Sequence, residues 1–66
     1  MYKNNIGYWV KERGVKLKKI SEKLGVSYQT VSNWINNRSQ PDLTQAAVLA
    51  DILMVSLEQL VTKEEK

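Results

Sequence analysis

Residues 17–36, LKKISEKLGVSYQTVSNWIN, constrain the fold more than any other part of the chain. Ile20 and Leu24 lie four residues apart, on one face of a helix, and Val31 and Trp34 lie three apart on one face of a second. Val26 fills the corner between them, and Ser21 keeps the crossing small. Gly25 stands where the chain must leave the first helix, a place where a residue without Cβ reaches a left-handed conformation at little cost. Ser27 is placed to cap the next helix, its hydroxyl accepting from the backbone N–H of Gln29 or Thr30. Two short helices meeting at a sharp turn are the predicted result.

With its apolar set turned inward, the second of these helices presents Tyr28, Gln29, Ser32 and Asn33 outward. The stretch reads as a helix-turn-helix whose outward face is polar and uncharged. Gln and Asn each carry a donor and an acceptor on one planar amide, the pairing that holds the N6 and N7 edge of adenine in a major groove. The plainer reading is that a small protein's surface simply carries amides. Tyr28 divides more evenly: its ring meets a thymine methyl or a sugar and its hydroxyl a phosphate, or the side chain lies along its own helix.

Charge follows the same stretch. Before Pro41 the cations Lys3, Lys11, Arg13, Lys16, Lys18, Lys19, Lys23 and Arg38 face only Glu12 and Glu22. From Asp42 onward Lys63 and Lys66 face Asp42, Asp51, Glu58, Glu64 and Glu65. A formal net charge of +3 therefore hides a basic half and an acidic half, as a phosphate-facing surface with a solvated back would show. The alternative is that these charges are only solvated faces. With 66 residues the chain makes one domain, 1–66, near the lower limit for closing a core unaided. The absence of Cys and His excludes zinc fingers, thiol chemistry, disulfide frameworks and imidazole catalysis. No apolar run approaches the roughly 20 residues of a membrane span, and the N-terminus lacks the apolar core of a signal peptide. A cytoplasmic protein is expected.

Elsewhere the pattern predicts a first helix from about Asn5 to Arg13, capped by Asn4 or Asn5 and ended by Gly14, with Ile6, Trp9, Val10 and the stem of Arg13 inward. The polar loop NNRSQP at 36–41 follows the motif. Asp42 then caps a helix whose inner face is Leu43, Ala46, Ala47, Leu49, Ala50 and Leu53. Ser56 caps a last short helix to about Val61, in which Leu57, Leu60 and Val61 close the core, and the polar tail 62–66 frays. The expected class is all-α, five short helices with no strand.

Over 6–61 the chain resembles, without an inserted or missing residue, the phage-repressor or Cro-type helix-turn-helix domains, the XRE family. ISEKLGVSYQTVSNW, the loop ending in Pro41 and ILMVSLEQLV carry the likeness. The resemblance implies a compact five-helix domain acting as a symmetric dimer on a pseudo-palindromic operator and regulating transcription in bacteria or their phages. The family's base-reading positions fall on Tyr28, Gln29 and Asn33. Its phosphate contacts map to Lys16, Leu17, Ser27, Asn36 and Arg38.

Three departures stand out. Leu17 cannot donate to phosphate as the family's frequent Gln does, and Lys16 and Lys18 flank it. Val10 and Ile35 stand where the family commonly has a partly buried Arg–Glu pair; joint replacement by apolar residues is often neutral or stabilising. Asn37 and Met54 occupy positions where the family usually has Gly. Asn is a fair substitute there, whereas Met54 carries strain of roughly 1 kcal/mol or forces a different helix ending.

The expected function is sequence-specific binding of double-stranded DNA, most simply as a repressor that occludes a promoter, since the chain has no room for an effector or activation domain. Tyr28, Gln29, Ser32 and Asn33 are the expected base readers, and Lys16, Lys18, Ser27, Thr30, Asn36 and Arg38 the expected phosphate contacts. Val48, Ile52, Met54 and Val55 are the candidate homodimer interface, which would set two recognition helices about 34 Å apart; packing under the last helix is the competing role. The rival function is a protein-interaction module, such as an antitoxin or anti-repressor using the same helices. No enzyme is expected, because the carboxylates are scattered with no His, Cys or Gly-rich loop to join them. Neither a cofactor, a metal nor a small-molecule ligand is called for.

Overall fold

The computed structural model describes residues 2–63. Its elements run β1 (Tyr2–Asn4), α1 (Ile6–Arg13), α2 (Leu17–Leu24), α3 (Tyr28–Ile35), α4 (Leu43–Leu53), a 3₁₀ turn (Glu58–Leu60) and β2 (Val61–Lys63). Ile6, Ile20, Val31, Trp34, Leu49, Ala50, Leu53 and Leu60 form the buried core, one or more from each helix and one from the 3₁₀ turn. Trp9, Val10, Leu17, Leu24, Val26 and Ile35 pack around it half-buried.

Local signals set the ends of the helices. Gly14 and Gly25, at φ 66° and 67°, end α1 and α2 in the left-handed conformation. Ser27 accepts from the Thr30 N–H at 3.0 Å and so caps α3. Asp42 opens α4 with a reciprocal capping box: its carboxylate accepts from the Gln45 N–H while Gln45 Oε1 accepts from the Asp42 N–H, both at 2.8 Å. At α1 the cap is split, since Asn5 holds the N-cap position but Asn4 Oδ1 accepts from the Ile6 N–H at 2.9 Å.

The Gln45 N–H and then the Thr44 hydroxyl hold the Asp42 carboxyl below its ordinary range. A carboxylate with a depressed folded-state pKa stabilises the fold fully above the unfolded value of about 3.9, and that stabilisation disappears as pH falls through the folded value. Comparison with Asp42→Asn, which keeps a capping oxygen, isolates the effect. The gap between their urea midpoints is expected to be constant near neutral pH and to shrink below about pH 4.

The end of the chain departs from expectation. The predicted fifth helix is a single 3₁₀ turn, begun by mutual bonds between Ser56 and Gln59 (Ser56 N–H to Gln59 Oε1 at 2.9 Å, Gln59 N–H to Ser56 Oγ at 3.2 Å). The chain then extends into β2, which pairs antiparallel with β1 in the register Tyr2↔Lys63, Lys3↔Thr62, Asn4↔Val61. The fold is thus four α-helices with a two-stranded sheet, and Thr62 and Lys63, assigned to a frayed tail, are paired; 64–66 lie outside the described residues. Strands of three residues are too short to show period-2 alternation, and their partners sit at opposite ends of the chain.

Four expected core residues are exposed: Leu43, Ala47, Leu57 and Val61. On α4 the stripe 46, 49, 50, 53 faces the core; Ala47 falls beside it, and Leu43, the first residue of the helix, is 77% exposed. With the last helix reduced to one turn, only Leu60 of its three apolar residues turns inward. Leu43, Leu57 and Val61 instead line, with Tyr2, Ile6 and Pro41, an apolar groove of about 290 Å³.

Two contacts explain how the helices approach. A Cβ on Gly7 would stand 2.9 Å from Ile35 Cγ2, so the missing side chain lets α1 lie against α3 where the family's ion pair is replaced by Val10 and Ile35. Arg13 Nε donates to the Leu53 carbonyl at 2.9 Å, and the guanidinium lies 5.0 Å from the centre of the Trp9 ring, tying the end of α1 to the end of α4. Met54 ends α4 at φ 58° and is 75% exposed, so its side chain repays little of the backbone strain. Met54→Gly is expected to raise the stability by about 1 kcal/mol, read as a higher urea midpoint at unchanged slope.

Candidate nucleic-acid interface

The outward side of α3 is built by the residues that anchor its inward side. Val31 and Trp34 are sealed in the core, at 0% and 2% exposure, which fixes the rotation of the helix. Tyr28 and Gln29 then lie exposed, with Ser32 and Asn33 half-buried. Gln29 Nε2 donates to Asn33 Oδ1 at 3.0 Å, one turn along. The bond orders both amides on the helix surface and leaves Gln29 Oε1 and Asn33 Nδ2 without a partner among the described residues. Tyr28, 60% exposed, stands clear at the first turn.

The flanks differ in how they are held. Lys16 occupies the N-cap position of α2 in an extended conformation, and Lys16 and Lys18 are both exposed. Between them Leu17 is half-buried and packs on the core, so this position contributes packing. The hydroxyls of Ser27 and Thr30 lie 2.9 Å apart. With one bond between two hydroxyls, one proton remains to donate outward. Asn36 Nδ2 donates back to the Ser32 carbonyl at 2.9 Å and reaches the Ser32 hydroxyl at 3.5 Å, so this side chain caps α3. The Arg38 N–H is fixed on the Asn33 carbonyl at 2.9 Å, and its side chain is exposed.

The sites singled out in the sequence therefore fall into two regions. Tyr28, Gln29, Ser32 and Asn33 lie together on α3, bordered by Ser27 and Thr30 before it and by Asn36 and Arg38 after it, with Lys16 and Lys18 at the start of the neighbouring α2. This rim holds no carboxylate in its own segments, 16–18 and 27–38. The four apolar residues at the end of α4 are split: Val48 and Met54 are exposed, while Ile52 and Val55 are half-buried against the core. Sequence reasoning missed the side chains that brace the loop after α3, Asn4 and Gln40 above all. The only hint was the density of amides at 4–5 and 36–40, which does not say what bonds to what.

Comparisons with known proteins agree with the geometry. A family model described as helix-turn-helix matches residues 6–60. A solved crystal structure from Bacteroides fragilis, described as that of a proposed DNA-binding protein, superposes with a TM-score of 0.90 at 32% identity, covering 94% of this chain and all of the other. No curated protein matches.

Proposed function

Since the chain belongs to the helix-turn-helix family, of the XRE type, we propose that it is a non-enzymatic transcription regulator that binds double-stranded DNA in a sequence-specific manner. The observation that carries this reading is the outward face of α3, where two bonded amides, exposed Gln29 and half-buried Asn33, lie between a basic start of α2 and the Arg38 loop. An α-helix fits the major groove, and uncharged amides there discriminate bases while cations at the margins neutralise phosphates. Tyr28, Gln29, Ser32 and Asn33 read bases; Lys16, Lys18, Ser27, Thr30, Asn36 and Arg38 hold the backbone. The description of the Bacteroides fragilis protein supports the same class of ligand.

Repression by a cytoplasmic homodimer on a pseudo-palindrome completes the proposal. Among the described residues no helix is long and apolar enough to cross a membrane. Val48 and Met54 are the parts of the expected interface that a second copy can reach, with Ile52 and Val55 adding only their edges. Selection of bound duplexes from a random pool at moderate salt, with sedimentation of the recovered complex, tests both parts. Enrichment of half-sites about 10 bp apart bound by two chains is the expected result. Weak binding that enriches nothing and vanishes with salt would reduce the basic surface to a non-specific one.

A further inference from the structure

Asn37 follows the C-cap of α3 in the left-handed region, at φ 57°. Backbone conformation alone would favour glycine there. What asparagine adds is a side-chain amide that acts as a piece of strand. Asn37 Oδ1 accepts from the Asn4 N–H at 2.8 Å, and Asn37 Nδ2 donates to the Asn4 carbonyl at 3.2 Å, so both backbone groups of Asn4 are taken up as a neighbouring strand would take them. Gln40 Nε2 donates to the same Asn37 Oδ1 at 3.1 Å. In return the Asn4 side chain donates to Gln40 Oε1 at 2.6 Å and to the Trp34 carbonyl at 2.7 Å, the last turn of α3. Three amides thus join β1, the end of α3 and the loop that carries Arg38.

We propose that Asn4, Asn37 and Gln40 are positioning residues for DNA binding, an inference that rests on the reading above: their network fixes the 36–40 loop against β1, so Arg38 meets the phosphate backbone from a loop already ordered. A loop held before docking loses less conformational entropy on docking, and the affinity gained comes without any contact between the three amides and DNA. The sheet acquires a role through this network, since β1 is the wall on which the loop is hung.

Asn37→Gly is the sharpest test, because glycine accepts the observed φ and only the amide is lost; Gln40→Ala is the second variant. Binding of the wild-type chain and both variants to a duplex enriched by the wild type, and to a scrambled duplex, is measured over a salt series. The same substitutions are repeated in an Arg38→Ala background, with thermal unfolding followed alongside. Asn37→Gly is expected to remain folded and to bind the enriched duplex about tenfold more weakly, as for one or two residues left to be ordered on binding. The slope of log affinity against log salt should stay that of the wild type, since Arg38 still reaches its phosphate and only the cost of ordering the loop is added. With Arg38 already removed, the loss from Asn37→Gly should largely disappear, since the contact it served is gone. Gln40→Ala should move the same way by less. Unchanged affinity in both variants, or a loss of equal size in both backgrounds, would overturn the inference and leave DNA binding standing. A wild-type chain that enriches no duplex would overturn the DNA-binding reading and this inference with it.

Discussion

Trp34→Ala is expected to leave the chain largely unfolded. The indole is 2% exposed and belongs, with Ile6, Ile20, Leu49, Leu53 and Leu60, to a core of eight buried residues among those described. Truncating a buried Trp removes its transfer energy and leaves a cavity, together about 3–5 kcal/mol. In a chain of 66 residues a single hydrophobic core supplies roughly 3–5 kcal/mol of stability in all. The two ranges coincide, so the variant is expected to lose most of its helical circular dichroism without denaturant, where the wild type is expected to unfold in one cooperative step. A single urea transition near the wild-type midpoint would show that the core closes over the gap. Trp9→Ala is the control of similar chemistry: that ring is half-buried and lies edge-on to Tyr8, so its loss should lower the midpoint and keep the fold.

Signals that act within one turn of helix were legible in the sequence. Ser27, Asp42, Gly14 and Gly25 do what their chemistry predicts because a cap or a left-handed exit needs only the next few residues. The outward face of α3 was legible for a related reason, since Val31 and Trp34 fix the helix rotation by their spacing. Contacts between distant segments were not. Nothing near Asn4 announces that its backbone pairs with Val61 on one side and the Asn37 amide on the other. Arg13 read as an apolar stem, and its bond to the Leu53 carbonyl, 40 residues away, has no local signature. Gly7 carried no signal either, because the reason for it is the position of Ile35. Leu57 and Val61 misled for the opposite reason: their apolar character was real, but the helix meant to turn them inward ends after one turn.

Gln29→Ala is expected to separate base reading from backbone attraction. In the free protein Gln29 Nε2 holds Asn33 Oδ1 at 3.0 Å, so the two amides form one ordered unit offering an acceptor from Gln29 and a donor from Asn33. That pair matches the N6 donor and N7 acceptor of adenine in the major groove. Removing Gln29 deletes the acceptor and frees Asn33 to rotate, so the loss should cover both halves of the contact. Binding to the enriched duplex should weaken by about 1–3 kcal/mol, roughly fivefold to 150-fold, with specificity relaxed at the base it reads. Binding to a scrambled duplex should change little, because Lys16, Lys18 and Arg38 are untouched and phosphate attraction is blind to sequence. Lys18→Ala should give the contrasting pattern, a similar loss on both duplexes and a shallower salt slope. If Gln29→Ala instead weakened both duplexes equally, the amide pair on α3 would be part of the backbone grip, and sequence preference would have to come from DNA shape or from Tyr28.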